Sequence, residues 1–330
     1  MAGPVSTTSG VVFGVNQLHI SGALAAVADE VAVPNLDMRA TARWNARQRE
    51  DSPWLHEEVG RRMAKRLGWI KQPPTAWLHW APVQGGLNTH QHVVTQYPKA
   101  SVWLAGEPEP HMRRALQRHS GGGWNPLKRW LGQGPNVVPA SGTLVAPVQM
   151  LWANMALHQH AQPKALLARW RDWLAVDGFL MFSCLGPDTL REVRAVYAQH
   201  GWPEPHHPYT DMHDWGDMLV ETGFAEPVMD MERLTLTYPN AERLLQDLRE
   251  GGRNCHTARF GALRGKCWHQ ALLQALEAGL PRTADGQLQV TVEVIYGHAF
   301  RGMPKIKLAE ASSISMQDMR TMLRQPPPGR

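Results

Sequence analysis

The feature that most constrains this sequence is an alternation of short apolar runs with amphipathic helical patterns. The apolar runs span residues 76–80, 100–105, 145–153 and 178–184, and helical patterns lie between them over 87–97, 107–119 and 164–174. Strands that alternate with helices pair in parallel, and a parallel sheet is covered by helices on both faces. The pattern therefore predicts an α/β fold built on a mostly parallel sheet.

The second half of the chain adds two long strands to this prediction. Residues 227–238 and 287–300 alternate in character as long strands do, and a helical stretch over 241–280 separates them. One expected strand is missing from the pattern. Residues 120–139 are rich in Gly, Pro, Trp and Lys where a third strand would normally fall, so we predict a long irregular loop there.

We interpret the chain as one domain with two loose ends. Residues 1–37 are rich in Gly, Ser, Ala and Val without periodicity, which is typical of a flexible N-terminal extension. Residues 38–300 form the domain, with helical insertions at about 187–215 and 241–282. Residues 301–330 end in a Pro-Pro-Pro-Gly run and are interpreted as a C-terminal tail.

Composition narrows the class of protein. The chain has 330 residues, 43% of them hydrophobic, and a formal net charge of +5. That length suits one large α/β domain, and the mild positive charge is that of an ordinary basic enzyme, so we predict no nucleic-acid partner. The three cysteines are widely spaced and odd in number. They imply no disulfide framework and favour a reducing, cytoplasmic compartment.

Two further sequence features bear on membranes and targeting. The sequence contains no run of eighteen or more apolar residues, which predicts no transmembrane helix and no membrane partner. The first Lys or Arg is Arg39. A start without basic residues argues against a secretory signal and against an Arg-rich transit peptide.

Candidate binding residues follow the predicted strands, because ligands of open α/β sheets bind beyond the carboxyl ends of the strands. Gly85 and Gly86 follow the first strand and would let a ligand approach the backbone, although a simple strand-to-helix turn also explains them. Glu107 follows the second strand, where a carboxylate can accept hydrogen bonds from two ribose hydroxyls or, alternatively, cap a helix. Asn154 follows a later strand and is placed to bond a substrate or cofactor.

The segment 206–214 is dense in titratable side chains and invites a metal site. The spacing of His207, Asp211 and His213 is not a standard pattern for a first-row metal, so we predict none. Asp211 is better explained as the N-cap of a helix over about 212–222, and Asp188 is the corresponding candidate for a helix after residue 189.

Three stretches together resemble one protein family. They read LLARWRDWLAVDGFLMFSCLGPDTLREV, HPYTDMHDWGDMLVETGFAEPVMDMERLTLTY and VEVIYGHAF, and WANMALH adds a fourth-strand motif that contains Asn154. They are similar to the malonyl-acyl-carrier-protein O-methyltransferases of biotin synthesis. The resemblance covers about residues 40–300 and is strongest after residue 150.

The resemblance implies a class I methyltransferase: a Rossmann-like, seven-stranded, mostly parallel sheet with helices on both faces and helical insertions. It implies S-adenosyl-L-methionine as cofactor and, as substrate, the free carboxylate of a malonyl thioester on an acidic acyl carrier protein. Glu107 aligns with the ribose-binding acid of the family. Gly85 and Gly86 are what remains of a first loop that reads roughly D-x-G-x-G-x-G in the family.

The same loop departs from the family pattern. His79 stands where the family has an acid, and Ala81 and Pro82 replace a Gly-Cys pair. Loss of a charge-assisted partner costs about 1.5–3 kcal/mol, and a proline removes a backbone donor. At about 1.4 kcal/mol per decade of affinity, we expect cofactor binding to be weakened roughly a hundredfold or more.

Methylation of a carboxylate needs little proton chemistry, so we nominate no catalytic base. The carboxylate is the nucleophile and must be held in line with the methyl group. Tyr209, His213, Tyr296 and His298 are the candidates to hold it, and structural hydrogen bonding at helix and strand ends is the alternative for each.

A basic stretch is a candidate docking surface for an acidic carrier protein. Residues 241–282 hold seven cations, and a solvated helical face explains them equally well; they are Arg243, Arg249, Arg253, Arg259, Arg264, Lys266 and Arg282. Two other functions stay open at this point. One is an inactive methyltransferase-fold module, binding or regulatory, that has lost its cofactor. The other is a relative with different chemistry, since similar proteins hydroxylate arginine in respiratory complex I assembly.

Overall fold

The computed structural model describes residues 36–47, 49–119, 136–138 and 142–303. The interpretations of residues 1–35 as an extension and of 304–330 as a tail therefore lie outside the described residues, as does most of the predicted loop. Within the described residues the domain begins at Leu36, which is buried and bridges to His256.

A seven-stranded sheet organises the domain, in the order β3-β2-β1-β4-β5-β7-β6. The five strands β3, β2, β1, β4 and β5 pair in parallel, whereas β7 is antiparallel to both β5 and β6. This arrangement confirms the predicted fold class. The strands are β1 Ala76–Trp80, β2 Ser101–Ala105, β3 Asn136–Val137, β4 Val148–Ala153, β5 Leu174–Leu185, β6 Phe224–Tyr238 and β7 Leu288–Arg301.

Helices connect and cover these strands. They are α1 Met38–Asn45, α2 Trp54–Arg66, α3 Pro82–Gly85, α4 Leu87–Gln96, α5 Glu109–His119, α6 Pro163–Trp173, α7 Arg191–Gln199, α8 Met212–Glu221, α9 Ala241–Gly251 and α10 Lys266–Gly279. Among the described helices, none is both long and apolar enough to cross a membrane.

Successive side chains of β1 point to opposite faces of the sheet, as a strand requires. Trp77 packs beside His90 of α4 on one face, with ring centroids 5.5 Å apart. Trp80 lies 5.5 Å from Trp170 and 6.1 Å from Trp173 of α6 on the other. Tryptophan therefore fills both layers of the core next to the central strand, which accounts for part of its abundance in this sequence.

Two local predictions were wrong. A third strand exists: Asn136 and Val137 pair with β2 inside the region predicted to be a loop. A strand of two residues is too short to show any periodicity, so no pattern could reveal it. The helix predicted over 241–280 is two helices, α9 and α10, separated by the non-helical residues 252–265.

Asp188 does not cap the helix that follows it. Helix α7 begins later, and the residue before it is Leu190, which has a left-handed backbone with φ 55°. The Asp188 carboxylate instead forms an ion pair with Arg233, with N···O 2.8 Å. Asp211, by contrast, does cap α8 and accepts a hydrogen bond from the amide of His213.

Candidate active site

The connection from β1 to α4 is compact. Ala81 has a left-handed backbone with φ 51°, and Pro82 then opens the four-residue helix α3. Proline is tolerated at a first helical position, because its missing N–H would have no partner there. Gly86, with φ 129°, joins α3 directly to α4. The segment that was expected to be a ligand loop is therefore one helical turn.

Glu107 lies against the start of this turn. Its carboxylate accepts hydrogen bonds from the amides of Val83 at 3.0 Å and Gln84 at 2.9 Å. Burial, opposed by these two amides and by Arg49, raises the pKa of Glu107 to about 7. Each carboxylate oxygen has a second lone pair, so two ribose hydroxyls can still be accepted.

The start of α4 is capped in the same way. The Glu57 carboxylate accepts hydrogen bonds from the amides of Asn88 at 2.9 Å and Thr89 at 3.0 Å. The Ser52 hydroxyl accepts a hydrogen bond from Leu87 at 2.9 Å. A side chain at Gly86 would place its Cβ 2.9 Å from the Glu57 carboxylate. The helix amides that could bind an anionic ligand here already have acceptors within the protein.

Beneath the turn, the Asn154 side chain joins three elements: α2, α3 and β5. Its side-chain amide is fully buried and donates to the carbonyls of His56, at 2.7 Å, and Gly85. Its oxygen accepts from the Ser183 hydroxyl at 2.6 Å. Gly85 is packed against it: a Cβ there would lie 3.2 Å from the Asn154 carbonyl oxygen. These contacts explain both residues as structural, and their predicted role in cofactor binding stays a prediction.

His79, which stands at the family's acid position, is fully buried and faces α4. Its Nδ1 lies 3.0 Å from Nδ1 of His90. Burial, with a smaller contribution from His90, holds the pKa of His79 well below its usual value. The side chain is therefore a neutral imidazole inside the core.

Glu107 lines a cavity of about 150 Å³ at the tips of β1, β2 and β4, which we call the Glu107 cavity. Trp80 forms part of its wall, and Arg47 and Arg49, which follow α1 in the chain, also line it. Ligand sites usually measure 300–1,000 Å³, so a nucleoside fits only if part of this wall moves. The other lining residues are Asn45, Arg47, Arg49, Ala81, Gln84, Gly106, His111, Ala156, Gln159 and His160.

A second cavity of about 250 Å³ lies next to the first, beyond the ends of β4 and β5, and we call it the apolar cavity. Gln159 lines both cavities. Aliphatic side chains dominate the wall of the apolar cavity, among them Met155, Leu185, Leu190, Val193, Leu236 and Val292. Its polar wall includes His56, His158, His206, His207 and Tyr209.

Tyr209 is the one predicted substrate residue that lines a described cavity. Three histidine rings surround it, with centroids 5.7 Å away for His158 and 4.8 Å away for both His206 and His207. Burial lowers the pKa of His207 to about 4 and keeps the pKa of His158 well below normal. Burial also raises the pKa of Tyr209. The cluster is therefore neutral at pH 7. The single N–H groups of the neutral His206 and His207 rings already donate to the carbonyl oxygens of His207 and His158, so the Tyr209 hydroxyl is the donor that this cluster offers a ligand.

The other three predicted substrate residues lie elsewhere. His213 is exposed and bonded to Asp211 at 2.7 Å. Tyr296 is buried, with the Arg66 guanidinium 3.9 Å from its ring centroid. His298 packs between two phenylalanines of β5 and β7. None of the three lines the Glu107 cavity or the apolar cavity.

Sequence reasoning missed the histidines that complete the cluster. His158 lies five residues after the end of β4, in the WANMALH motif, and His207 is 49 residues further along the chain. His207 Nε2 lies 2.9 Å from the carbonyl oxygen of His158. The signal available in the sequence was a histidine shortly after a strand end, but only the fold brings the two histidines together.

Comparison with known proteins gives close relatives. Malonyl-[acyl-carrier protein] O-methyltransferase from Laribacter hongkongensis is 38% identical over 274 residues, which is 79% of this chain and 88% of that protein. The protein of the same name from Gallionella capsiferriformans is 36% identical over 293 residues, covering 87% of this chain and 96% of that protein. No protein-family model matches the chain.

Among solved structures, the N-methyltransferase NodS from Bradyrhizobium japonicum covers 79% of this chain and 97% of its own. Its TM-score is 0.40 and its identity 12%. The assignment comes from the sequence relatives, whose length the chain spans almost entirely. The chain belongs to the malonyl-[acyl-carrier protein] O-methyltransferase family.

Proposed function

We propose that the chain is an S-adenosyl-L-methionine-dependent methyltransferase that methylates the free carboxylate of a malonyl thioester on an acyl carrier protein, in biotin synthesis. The observation that carries the proposal is the pair of adjoining cavities that share Gln159. One cavity offers a carboxylate suited to a ribose, and the other offers an apolar space with a neutral hydroxyl donor, that of Tyr209. The family relationship supports the same activity.

The residues present fit one part of the cofactor and not another. Glu107 lines its cavity with lone pairs to spare, so it would hold the ribose hydroxyls. The amides at the starts of α3 and α4 are capped by Glu107 and Glu57, so they do not fit the methionine carboxylate. Binding of the whole cofactor requires movement of the residues that line the Glu107 cavity.

When bound, the cofactor supplies a methyl group on a positively charged sulfur. The substrate carboxylate would be the nucleophile toward that methyl carbon, and the sulfur would be the leaving group that keeps the bonding electron pair. No proton moves in this step. The protein therefore has to position the carboxylate, exclude water and offer hydrogen bonds that do not quench the nucleophile.

The apolar cavity provides these conditions. Its aliphatic wall excludes water from the thioester and from the attacking carboxylate. The Tyr209 hydroxyl, kept protonated by burial, is suited to donate one hydrogen bond to the carboxylate oxygen that does not react. The neutral rings of His158 and His207 add no positive charge that would hold the carboxylate back from the methyl group.

Two further parts of the proposal concern partner and location. The carrier protein is acidic and docks on the basic residues of 241–282. Arg249 and Arg253 support this, since neither pairs with a carboxylate among the described residues, whereas Arg243, Arg259 and Arg282 do. The protein acts in the reducing cytoplasm, in keeping with three free cysteines.

The proposal is tested by incubating the full chain with S-adenosyl-L-methionine and malonyl-acyl carrier protein. The expected product is the carrier protein with one added methyl group, detected by mass spectrometry and removed by an esterase. Acetyl-acyl carrier protein is the matched control, since it lacks the free carboxylate. A folded protein that binds the carrier but forms no methyl ester would instead support the non-catalytic module.

A further inference from the structure

Three arginines surround one buried tryptophan beside the two cavities. The guanidinium carbons of Arg47, Arg49 and Arg253 lie 5.3, 4.3 and 5.0 Å from the ring centroid of Trp44. We call this group the Trp44 arginine cluster. Cation–π contact explains why a guanidinium stays near an indole ring, but it does not explain why three guanidiniums share one ring.

The charge of this cluster is poorly compensated. Among the described residues, no carboxylate lies within 4 Å of the three guanidinium groups. Glu107 and Glu250 act on Arg49 only from a greater distance. The hydrogen bonds of Arg49 and Arg253 go to backbone carbonyls, including Gly252 at 2.9 Å.

The mutual repulsion is visible in Arg49. Burial, and then the charges of Arg47 and Arg253, lower the pKa of Arg49 to about 10. Elsewhere in the described part of the chain, Arg233 and Arg259 approach carboxylates to 2.8 Å. A cluster that concentrates positive charge without a protein carboxylate is the arrangement expected of an anion-binding site.

The position of the cluster identifies the end of the ligand that it would meet. Arg253 is exposed and lines the apolar cavity, so it lies at the mouth of that cavity. Arg47 and Arg49 line the Glu107 cavity. Trp44 is held between the two, because its indole N–H donates to the Gln159 side chain at 2.8 Å.

We propose that the Trp44 arginine cluster binds the phosphate of the phosphopantetheine arm that carries the malonyl thioester. This inference rests on the proposed function. The reacting carboxylate has to lie inside the apolar cavity, whereas the cluster lies at the rim, so the anion it meets is the one at the outer end of the arm. Guanidinium groups match phosphate oxygens in paired hydrogen bonds, which suits arginine rather than lysine at this place.

The direct test compares two arms that differ only in the phosphate. Calorimetry is performed on the full chain with 4′-phosphopantetheine and with pantetheine. We expect the phosphorylated arm to bind at least tenfold more tightly, and R49Q and R253Q to reduce that advantage to less than threefold. R43Q is the matched control, because Arg43 is exposed on α1 and, among the described residues, its side chain bonds only to the carbonyl of Arg39.

Folding of the variants is checked by their Tm, and R49K provides a second variant that keeps the charge but loses the paired hydrogen bonds. We expect R49K to bind the phosphorylated arm more weakly than the unchanged protein. Equal affinity of the unchanged protein for both arms overturns the proposal. It is also overturned if R49Q and R253Q weaken S-adenosylhomocysteine binding and leave the preference for the phosphorylated arm intact.

A kinetic experiment separates this proposal from the methyltransferase assignment. The kcat/KM values for malonyl-phosphopantetheine and malonyl-pantetheine are compared, and we expect a ratio of at least ten that falls toward one in R253Q. Methylation of both substrates at equal rates would refute the phosphate site alone. Absence of any methylation with a retained phosphate preference in calorimetry would refute the methyltransferase alone. Malonyl-coenzyme A and malonyl-acyl carrier protein then show which carrier of the arm is preferred.

Discussion

The β1–α4 turn and the apolar cavity lie next to each other and differ in how their polar groups are satisfied. In the turn, Glu107 and Glu57 cap the amides at the starts of two helices. In the wall of the apolar cavity, His158, His206 and His207 each keep a buried ring nitrogen that has no hydrogen-bond partner in the described part of the chain. The backbone amides of the turn therefore have acceptors without a ligand, although Nε2 of His79 beside Gly85 also lacks a partner among the described residues.

This difference indicates at which of the two places a ligand can still gain binding energy. A ligand at the turn has to displace carboxylates that already hold the backbone, so it gains little by replacing them. A ligand in the apolar cavity buries aliphatic surface without displacing a contact made within the protein. We therefore expect this chain to recognise the acyl substrate more strongly than the methionine part of the cofactor.

The largest effect is expected from changing Asn154, which supports the turn from beneath. We expect Asn154→Ala to lower the free energy of unfolding by about 3 kcal/mol, because several buried partners lose their hydrogen bonds. Urea denaturation measures this, with the exposed Asn88→Ala as control. A variant of normal stability that no longer binds S-adenosylhomocysteine would instead make Asn154 the cofactor residue that the sequence predicted.

Filling the apolar cavity should impair use of the malonyl substrate and leave cofactor binding nearly unchanged. Leu248 lines the cavity, and Leu248→Trp should lower kcat/KM for the malonyl carrier about a hundredfold, or about 2.8 kcal/mol, by occupying the space of the thioester. Binding of S-adenosylhomocysteine should change little. Leu263→Trp, at a fully exposed leucine, is the control. Equal losses for substrate and cofactor would show that the two cavities do not act as separate compartments.

The pH dependence of stability tests Glu107. Its pKa is raised from 4.5 to about 7, so the folded protein binds more protons than the unfolded chain in this window. The stability contributed by the protonated carboxyl is fully present below pH 4.5 and is lost as the pH rises through 7, a change of about 1–3 kcal/mol. Unfolding free energies at pH 5 and pH 8 should differ less in Glu107→Gln, and Glu109→Gln should match the unchanged protein.

The smallest effect is expected within the predicted substrate residues. Tyr209→Phe should lower kcat/KM about tenfold, because one hydrogen bond to the carboxylate is lost. His213→Ala should leave it unchanged, because His213 is exposed and lies outside both cavities. A larger loss for His213 than for Tyr209 would place the carboxylate outside the apolar cavity.

The sequence predicted the parts of this molecule that depend on local pattern. Apolar runs located β1, β2, β4 and β5, and the position of Glu107 after a strand identified an acid that lines a cavity. The two-residue strand β3 has no period to detect. Helix α7 begins after Leu190, whose amide donates a hydrogen bond to the carbonyl of Thr291, about a hundred residues away. No local sequence pattern contains such a contact.

The parts of the site that the sequence did not predict also depend on contacts between residues distant in sequence. Glu57 caps a helix that begins 30 residues later, and this turns a predicted ligand loop into a satisfied turn. The histidines around Tyr209 come from two separate segments. Tertiary contacts bring such groups together, so residue type and spacing alone could predict neither the closed turn nor the neutral cluster.

We propose that Glu107 holds the ribose of the cofactor although the neighbouring turn is closed. Calorimetric titration with S-adenosylhomocysteine at pH 8, where the Glu107 carboxyl is ionised, tests it most directly. We expect measurable binding that weakens about tenfold or more in Glu107→Gln, in line with loss of a charge-assisted hydrogen bond. Absence of binding to the folded, unchanged protein, or equal binding to both proteins, would contradict the claim.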